Sequence, residues 1–242
     1  MKRLLPLLTL AVLMSACVNP DESTAIKFSV LGDSFSSLEG TVNPATNDPW
    51  PHYADVGVTE AEQMWWHKVS TGMGWVLDKN NSFSGALVSN FTTFIGGEHY
   101  GPNSFIRRMD NLGNPDVILI FGGTNDIYHR TPLGDYVYSD WTEDLLWEYR
   151  PAMAYLLDNM KRLYPQADLY FLVDMELCIN DETIDDATRQ AYIESMHHIA
   201  NHYNVPCIDI YGIHKSYWHP DAQGQKDIAR QVLEVLQVGF NV

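Results

Sequence analysis

The sequence predicts an α/β protein, a doubly wound sandwich around a central five-stranded parallel sheet. Three observations carry that prediction. Short apolar runs recur along the chain, amphipathic stretches of helical period separate them, and small polar turns follow them. Lys27–Leu31 reads as the first strand and ends in Gly32-Asp33-Ser34. Trp75–Asp78 is a weaker second. Val117–Phe121 is continuously apolar between Asn114-Pro115 and Gly122-Gly123, the pattern of a strand buried on both faces. Leu169–Val173 and Cys207–Ile210 complete the sheet. Among the helices, Tyr149–Tyr164 puts Met153, Leu156, Leu157, Met160 and Leu163 on one face and is stopped by Pro165. Asp185–Tyr203 and Gln223–Phe240 are similar, and Met64–Thr71 and Ser104–Leu112 are shorter. Residues 39–63 and 127–147 break the rhythm. Both follow strand carboxyl ends, where open α/β sheets bind ligands, so both are expected to shape access to a substrate.

Composition narrows the function. The 242 residues carry 15 Lys+Arg against 31 Asp+Glu, a net charge of −16, and that field repels phosphate backbones. No nucleic-acid partner is expected. The first residues read as an address. Lys2 and Arg3 precede an apolar stretch, Leu4–Met14, that is shorter than the roughly 20 residues of a membrane span. Leu13-Met14-Ser15-Ala16-Cys17 then resembles a bacterial lipoprotein box. The expected organisation is a signal peptide over 1–16, lipidation at Cys17, a tether over 17–25 and one globular domain over 26–242. Cleavage removes Lys2 and Arg3 and no acid, leaving a mature charge of about −18. An exported envelope protein is expected, held at a membrane, outer membrane or cell surface, by acyl chains alone. Cys178 and Cys207 would then lie towards opposite edges of the sheet as free thiols.

Four short motifs follow successive strands. Gly32-Asp33-Ser34 can lift a serine hydroxyl into the crevice on a sharp strand-to-helix turn. Ser82-Phe83-Ser84-Gly85 offers an uncovered glycine N–H. Gly122-Gly123-Thr124-Asn125-Asp126 offers a side-chain amide, and His219-Pro220 stands just before the last helix. In this order the blocks resemble those of the SGNH (GDSL-type) hydrolase superfamily, from about residue 26 to the C-terminus. The resemblance implies a flavodoxin-like sandwich, ester hydrolysis and no metal or other cofactor. Carried over by position, Ser34 is the nucleophile and His219 the general base. The N–H groups of Ser34 and Gly85 and the side-chain amide of Asn125 are the oxyanion donors. The chemistry is coherent on its own terms. A serine hydroxyl is a poor nucleophile until an imidazole takes its proton, and the tetrahedral oxyanion needs donors already in place. No Gly-x-Ser-x-Gly elbow occurs, which argues against an ordinary α/β-hydrolase.

One part departs from the family pattern. The position three residues before the histidine usually holds Asp; here it is Ser216. A backbone carbonyl near Ser216, the Ser216 hydroxyl or the more distant Asp209 are the candidates to orient the imidazole, and a Ser34–His219 dyad is expected. His197, His198 and His202 share a helix without the glutamate of a zinc motif, and read as a solvated face. His214 reads as loop packing, and Asp33 and Asp126 as braces of their turns. Trp65 and Trp66 read as core. Trp50, Trp141 and Trp218 lie in loops expected around the crevice, with Trp50 and Trp218 the better candidates to cover a sugar ring. Three functions fit: an esterase removing a short acyl group, foremost O-acetyl, from a glycan; an acyltransferase sharing its acyl-enzyme; or a catalytically impaired carbohydrate-binding lipoprotein, because of Ser216.

Overall fold

The computed structural model describes residues 25–38, 56–91 and 103–240. The signal and lipidation segment through residue 24, Cys17 included, lies outside the described residues, as does Trp50. Five strands form one parallel sheet: β1 (Lys27–Gly32), β2 (Val76–Ser82), β3 (Val117–Phe121), β4 (Asp168–Asp174) and β5 (Cys207–Ile210), in the order β2-β1-β3-β4-β5. The expected doubly wound sandwich is therefore present. Among the described residues no helix is long and apolar enough to cross a membrane.

Alternation along β3 explains the two layers. Val117, Leu119 and Phe121 face one core with α1 (Trp65–Met73) and α6 (Ala222–Phe240). Ile118 and Ile120 face the other, with α2 (Phe105–Arg108), α4 (Tyr149–Leu163) and α5 (Asp186–His202). All five β3 residues are buried, as a strand covered on both sides requires. A short helix, α3 (Thr124–Tyr128), follows β3. Between β1 and β2, α1 covers one face, and between β2 and β3, α2 covers the other, so the chain reverses its winding between β1 and β3. Gly32 lies level with Ser82 and with Phe121, which aligns the strands' carboxyl ends into one rim. That reversal is where an open α/β sheet leaves a crevice.

Several details differ from the sequence expectations. β2 starts after Trp75, whose ring packs on Phe28 and Phe240, and runs on to Ser82. The helix expected over Ser104–Leu112 is one turn, Phe105–Arg108. The Ser104 hydroxyl bonds to Asn90 rather than capping it, and the Leu112 N–H is drawn off to the Tyr164 hydroxyl. Most of residues 127–147 wraps over α4 and α5 rather than the crevice. Tyr138 stacks on His202 at 3.8 Å, Tyr136 lies between His198 and Arg150, and Trp141 packs on Tyr155. His198 and His202 thus sit on the exposed face as expected, but as ring partners of a strap. A two-stranded hairpin, β6 (Lys215–Ser216) and β7 (His219–Pro220), had no apolar signal to announce it. Cys178 and Cys207 are both free.

Candidate active site

The site begins with a turn that closes on itself. Asp33 Oδ1 accepts the Phe35 N–H at 2.9 Å, and the Asp33 carbonyl accepts those of Ser36 and Ser37 at 3.1 Å each. Gly32 must lack a side chain, because a Cβ there would lie 2.6 Å from both Ser36 Cβ and the Ser82 hydroxyl. Behind the turn, Trp65 Nε1 donates to the Ser36 hydroxyl at 3.1 Å. The Ser36 carbonyl accepts from Trp66 Nε1 at 3.0 Å and from Asn80 Nδ2 at 2.9 Å. Fully buried Gln225, on α6, accepts the Trp65 N–H at 2.9 Å and donates to the Phe35 carbonyl at 3.3 Å. The tryptophan pair is core, as its composition suggested, and it also anchors the turn. Gln225 gave no sequence signal, since a lone glutamine in an amphipathic helix looks like any solvated residue.

At the opposite end of the chain, the hairpin delivers His219. Ser34 Oγ and His219 Nε2 are 3.1 Å apart although 185 residues separate them. Phe35 packs edge-on against the imidazole, with centroids 5.9 Å apart. Burial, and then the cationic Lys215 beside it, pull the His219 pKa down to about 4. The ring is therefore neutral at ordinary pH, the form a base requires. Ser216 pairs with His219 across the hairpin, but its side chain is exposed and its hydroxyl makes no hydrogen bond to a described residue. Asp209 lies elsewhere, 3.2 Å from His197 on α5. Asp209 is thus engaged away from the imidazole, whereas Ser216 stands opposite His219 on the hairpin with its side chain exposed.

Gly85 and Asn125 line the same pocket as Ser34 and His219. Gly85 has a φ of +76°, and among the described residues neither its N–H nor that of Ser34 donates to a protein acceptor. The Asn125 amide is engaged within the protein. Its Nδ2 donates to the Ala86 carbonyl at 3.0 Å and to Asp33 Oδ2 at 3.2 Å. Asp33 is buried, and desolvation raises its pKa to about 7 despite the Phe35 N–H and Arg108. Asp126 braces its loop as expected: its carboxylate accepts from Val88 N, Ser89 N and the Ser89 hydroxyl. The pocket encloses about 400 Å³. Tyr128, Cys178, Ile179, Tyr217 and Trp218 form its apolar wall, and Trp218 stands edge-on to Tyr128 at 5.8 Å. Among the described residues no group of three or more His, Cys, Asp or Glu is gathered to hold a metal.

The profile of GDSL-like lipases and acylhydrolases matches residues 26–236. The chain belongs to that family. It is an ester-hydrolysing enzyme. A GDSL-like lipase from Bacteroides ovatus ATCC 8483 is similar over 89% of this chain and 99% of its own, at 39% identity and a TM-score of 0.78. One from Bacteroides uniformis ATCC 8492 is 36% identical over 88% and 96%, with a TM-score of 0.77. A family two carbohydrate esterase from Clostridium thermocellum, solved with cellohexaose, shares the fold at 15% identity and a TM-score of 0.60, over 89% of this chain and 65% of that one. No curated protein matches the chain.

Proposed function

We propose that the enzyme removes a short acyl group, O-acetyl, from a carbohydrate through an acyl-enzyme on Ser34. The 3.1 Å contact between Ser34 Oγ and His219 Nε2 carries this reading. Ser34 Oγ attacks the ester carbonyl carbon while its proton passes to His219 Nε2. The N–H groups of Ser34 and Gly85 receive the oxyanion. The Asn125 amide joins them by giving up its longer bond, the one to Asp33. When the ester C–O bond breaks, the proton on Nε2 goes to the leaving alcohol. Water, deprotonated by His219, then attacks the acyl carbon, releases the acid and restores Ser34.

The carbohydrate half of the reading rests on the aromatic wall. Tyr128, Trp218 and Tyr217 line the pocket that holds the nucleophile, and aromatic rings suit sugar rings better than a flexible chain. The family two carbohydrate esterases show that this fold hosts such substrates. Export and anchoring through a lipid on Cys17 remain part of the proposal, as do the residue roles. The test is acetate release from acetylated oligosaccharides by wild type and Ser34→Ala, with fluorophosphonate labelling of Ser34, with and without an added acceptor alcohol. Labelling of Ser34 with free acetate as product supports the reading. Acetyl transfer to the alcohol as the main outcome makes it a transferase, and full turnover by Ser34→Ala removes the nucleophile assignment.

A further inference from the structure

The hairpin that carries His219 has only two residues in each strand, too few to hold a position unaided. Attachments at its neck, its tip and between them hold it. At its neck, His214 Nδ1 lies 2.6 Å from the Asp221 carboxylate, in an exposed contact, and α6 comes so near that a Cβ on Gly224 would lie 2.0 Å from the His214 carbonyl oxygen. At its tip, Asn180 Nδ2 donates to the Tyr217 carbonyl at 3.1 Å; the Tyr217 side chain is 85% exposed. Between them, Lys215 Nζ donates to Asp174 Oδ2 at 2.7 Å, with side chains only 8% and 1% exposed. Asp174 ends β4 and is itself fixed, since its other oxygen accepts the Glu176 N–H at 2.9 Å. Lys215 Nζ also lies 5.5 Å from the centroid of Phe35, the ring that touches His219.

We infer that the Lys215–Asp174 ion pair is a positioning device of the catalytic base, clamping the hairpin backbone to the sheet. The inference rests on the Ser34–His219 reading. The pair touches neither substrate nor reacting atoms. It sets the height of His219 over Ser34, and its cation stands beside the imidazole. Among the described residues, charged and titratable groups stand near His219 on several elements. Lys215 comes from its own hairpin, with Asp174 behind it on β4, while the β1 turn presents neutral Ser34 and Phe35. Asp33 on that turn is engaged with Asn125, and His129 after α3 lines the same pocket.

A merely structural tie and this device differ in what they do to pH dependence. The full-length enzyme is compared with Lys215→Met, Asp174→Asn, Lys215→Arg and the double variant Lys215→Met/Asp174→Leu, which fills the site with apolar side chains. Melting curves establish folding, and kcat, KM and the pH profile of kcat/KM are measured on p-nitrophenyl acetate. A displacement of about 1 Å costs about 10²-fold. The double variant is therefore expected to keep KM within about threefold and lose about 10–10² in kcat. Its acid limb moves to higher pH, because the cation that disfavours imidazolium is gone. Asp174→Asn moves the limb the other way, since Lys215 is then unneutralised, and Lys215→Arg restores most of kcat. Wild-type kcat in a folded double variant overturns the inference. So does an acid limb that stays put, or that moves the same way in Lys215→Met and Asp174→Asn. If the double variant does not fold, the opposed shifts of the single variants decide. Activity in Ser34→Ala would instead remove the catalytic reading beneath it, so the two failures are distinguishable.

Discussion

The two halves of the site are held by different physics. The turn bearing Ser34 sits in a dense mesh of mostly neutral hydrogen bonds, from Trp65 and Trp66 on α1, Asn80 on β2 and Gln225 on α6, joined by one from the Arg108 guanidinium to the Gly32 carbonyl at 3.1 Å. The hairpin bearing His219 has an exposed tip and a buried ionic tie, the Lys215–Asp174 pair. Neutral bonds are individually modest, and several in parallel fix a group in every direction. A buried ion pair fixes one point and carries a field. The nucleophile is thereby held mainly by neutral partners, whereas the base is kept deprotonated by burial first and then by the cation beside it.

The sharpest way to break this comparison is at the reacting pair. Ser34→Ala is expected to lower kcat by about 10⁴-fold or more, with KM little changed, as measured on an acetyl ester. His219→Ala should match it, and the double variant should be no worse than either, because the two act as one unit. Next in size is Asn125→Ala. Losing one oxyanion donor costs about 10²–10³ in kcat. An effect below about threefold would mean that the amide keeps its bonds to Asp33 and Ala86 throughout the reaction.

Asp33→Asn sharpens the neutral side. In that variant the side-chain carbonyl at position 33 still accepts from the Phe35 N–H, but the new amide group faces that of Asn125, and one bond between them is lost. A fall of about 10-fold in kcat is expected from the loosened donor. The pH signature is separate. Asp33 titrates near 7 when folded and near the usual carboxylate range when unfolded, so the folded state binds the extra proton between those values. Stability therefore falls as pH rises from about 4 to about 7. That slope of Tm against pH should flatten in Asp33→Asn. On the other half of the comparison, the lowered pKa of His219 places the acid limb of wild-type kcat/KM near pH 4 rather than near 6.5.

Gln225→Leu tests the mesh with little chemistry. It leaves the Trp65 N–H buried without its acceptor, at a cost of about 1–3 kcal/mol, or about 2–10 °C in Tm for a domain of this size. With Ser36 still held by both tryptophans, kcat should change by less than about threefold. A large loss of kcat at unchanged Tm would mean that Gln225 acts on the site and not on the fold.

How far the sequence could be read follows the same division. The sheet was legible because VILIF and its counterparts have no other way to bury every residue, and Gly-Asp-Ser and Gly-x-Asn-Asp because small and polar residues after a strand have few other uses. The mesh and the clamp were not legible. Gln225, Lys215 and Asp174 are polar residues at positions that look solvated in one dimension, and only the folded contacts, 41 residues apart for Lys215 and Asp174 and 160 for Gln225 and Trp65, show them buried. Trp141 misled for the opposite reason: an aromatic in a loop near the crevice turned inward to pack on Tyr155.

The smallest expected effect bears on the residue whose absence from the family pattern was plainest. Ser216 and His219 face each other across an antiparallel pair, so their side chains leave the ribbon on the same side and within reach of one another. Ser216→Asp would stand a carboxylate by the imidazole, opposing the field of Lys215. Position 216 is exposed, however, and a pair at about 4 Å in water is worth only about 1 kcal/mol. The expected gain in kcat is therefore at most about fivefold, with the acid limb moving to higher pH because imidazolium is favoured. Measured in the Lys215→Met background, where no cation competes, the limb should move further. A gain of 10²-fold or more would mean that the imidazole of the wild-type enzyme is poorly oriented, and that the clamp on the hairpin does not replace the missing carboxylate. No change in either background would mean that the hairpin holds His219 with its ring turned away from residue 216, leaving orientation to the backbone alone.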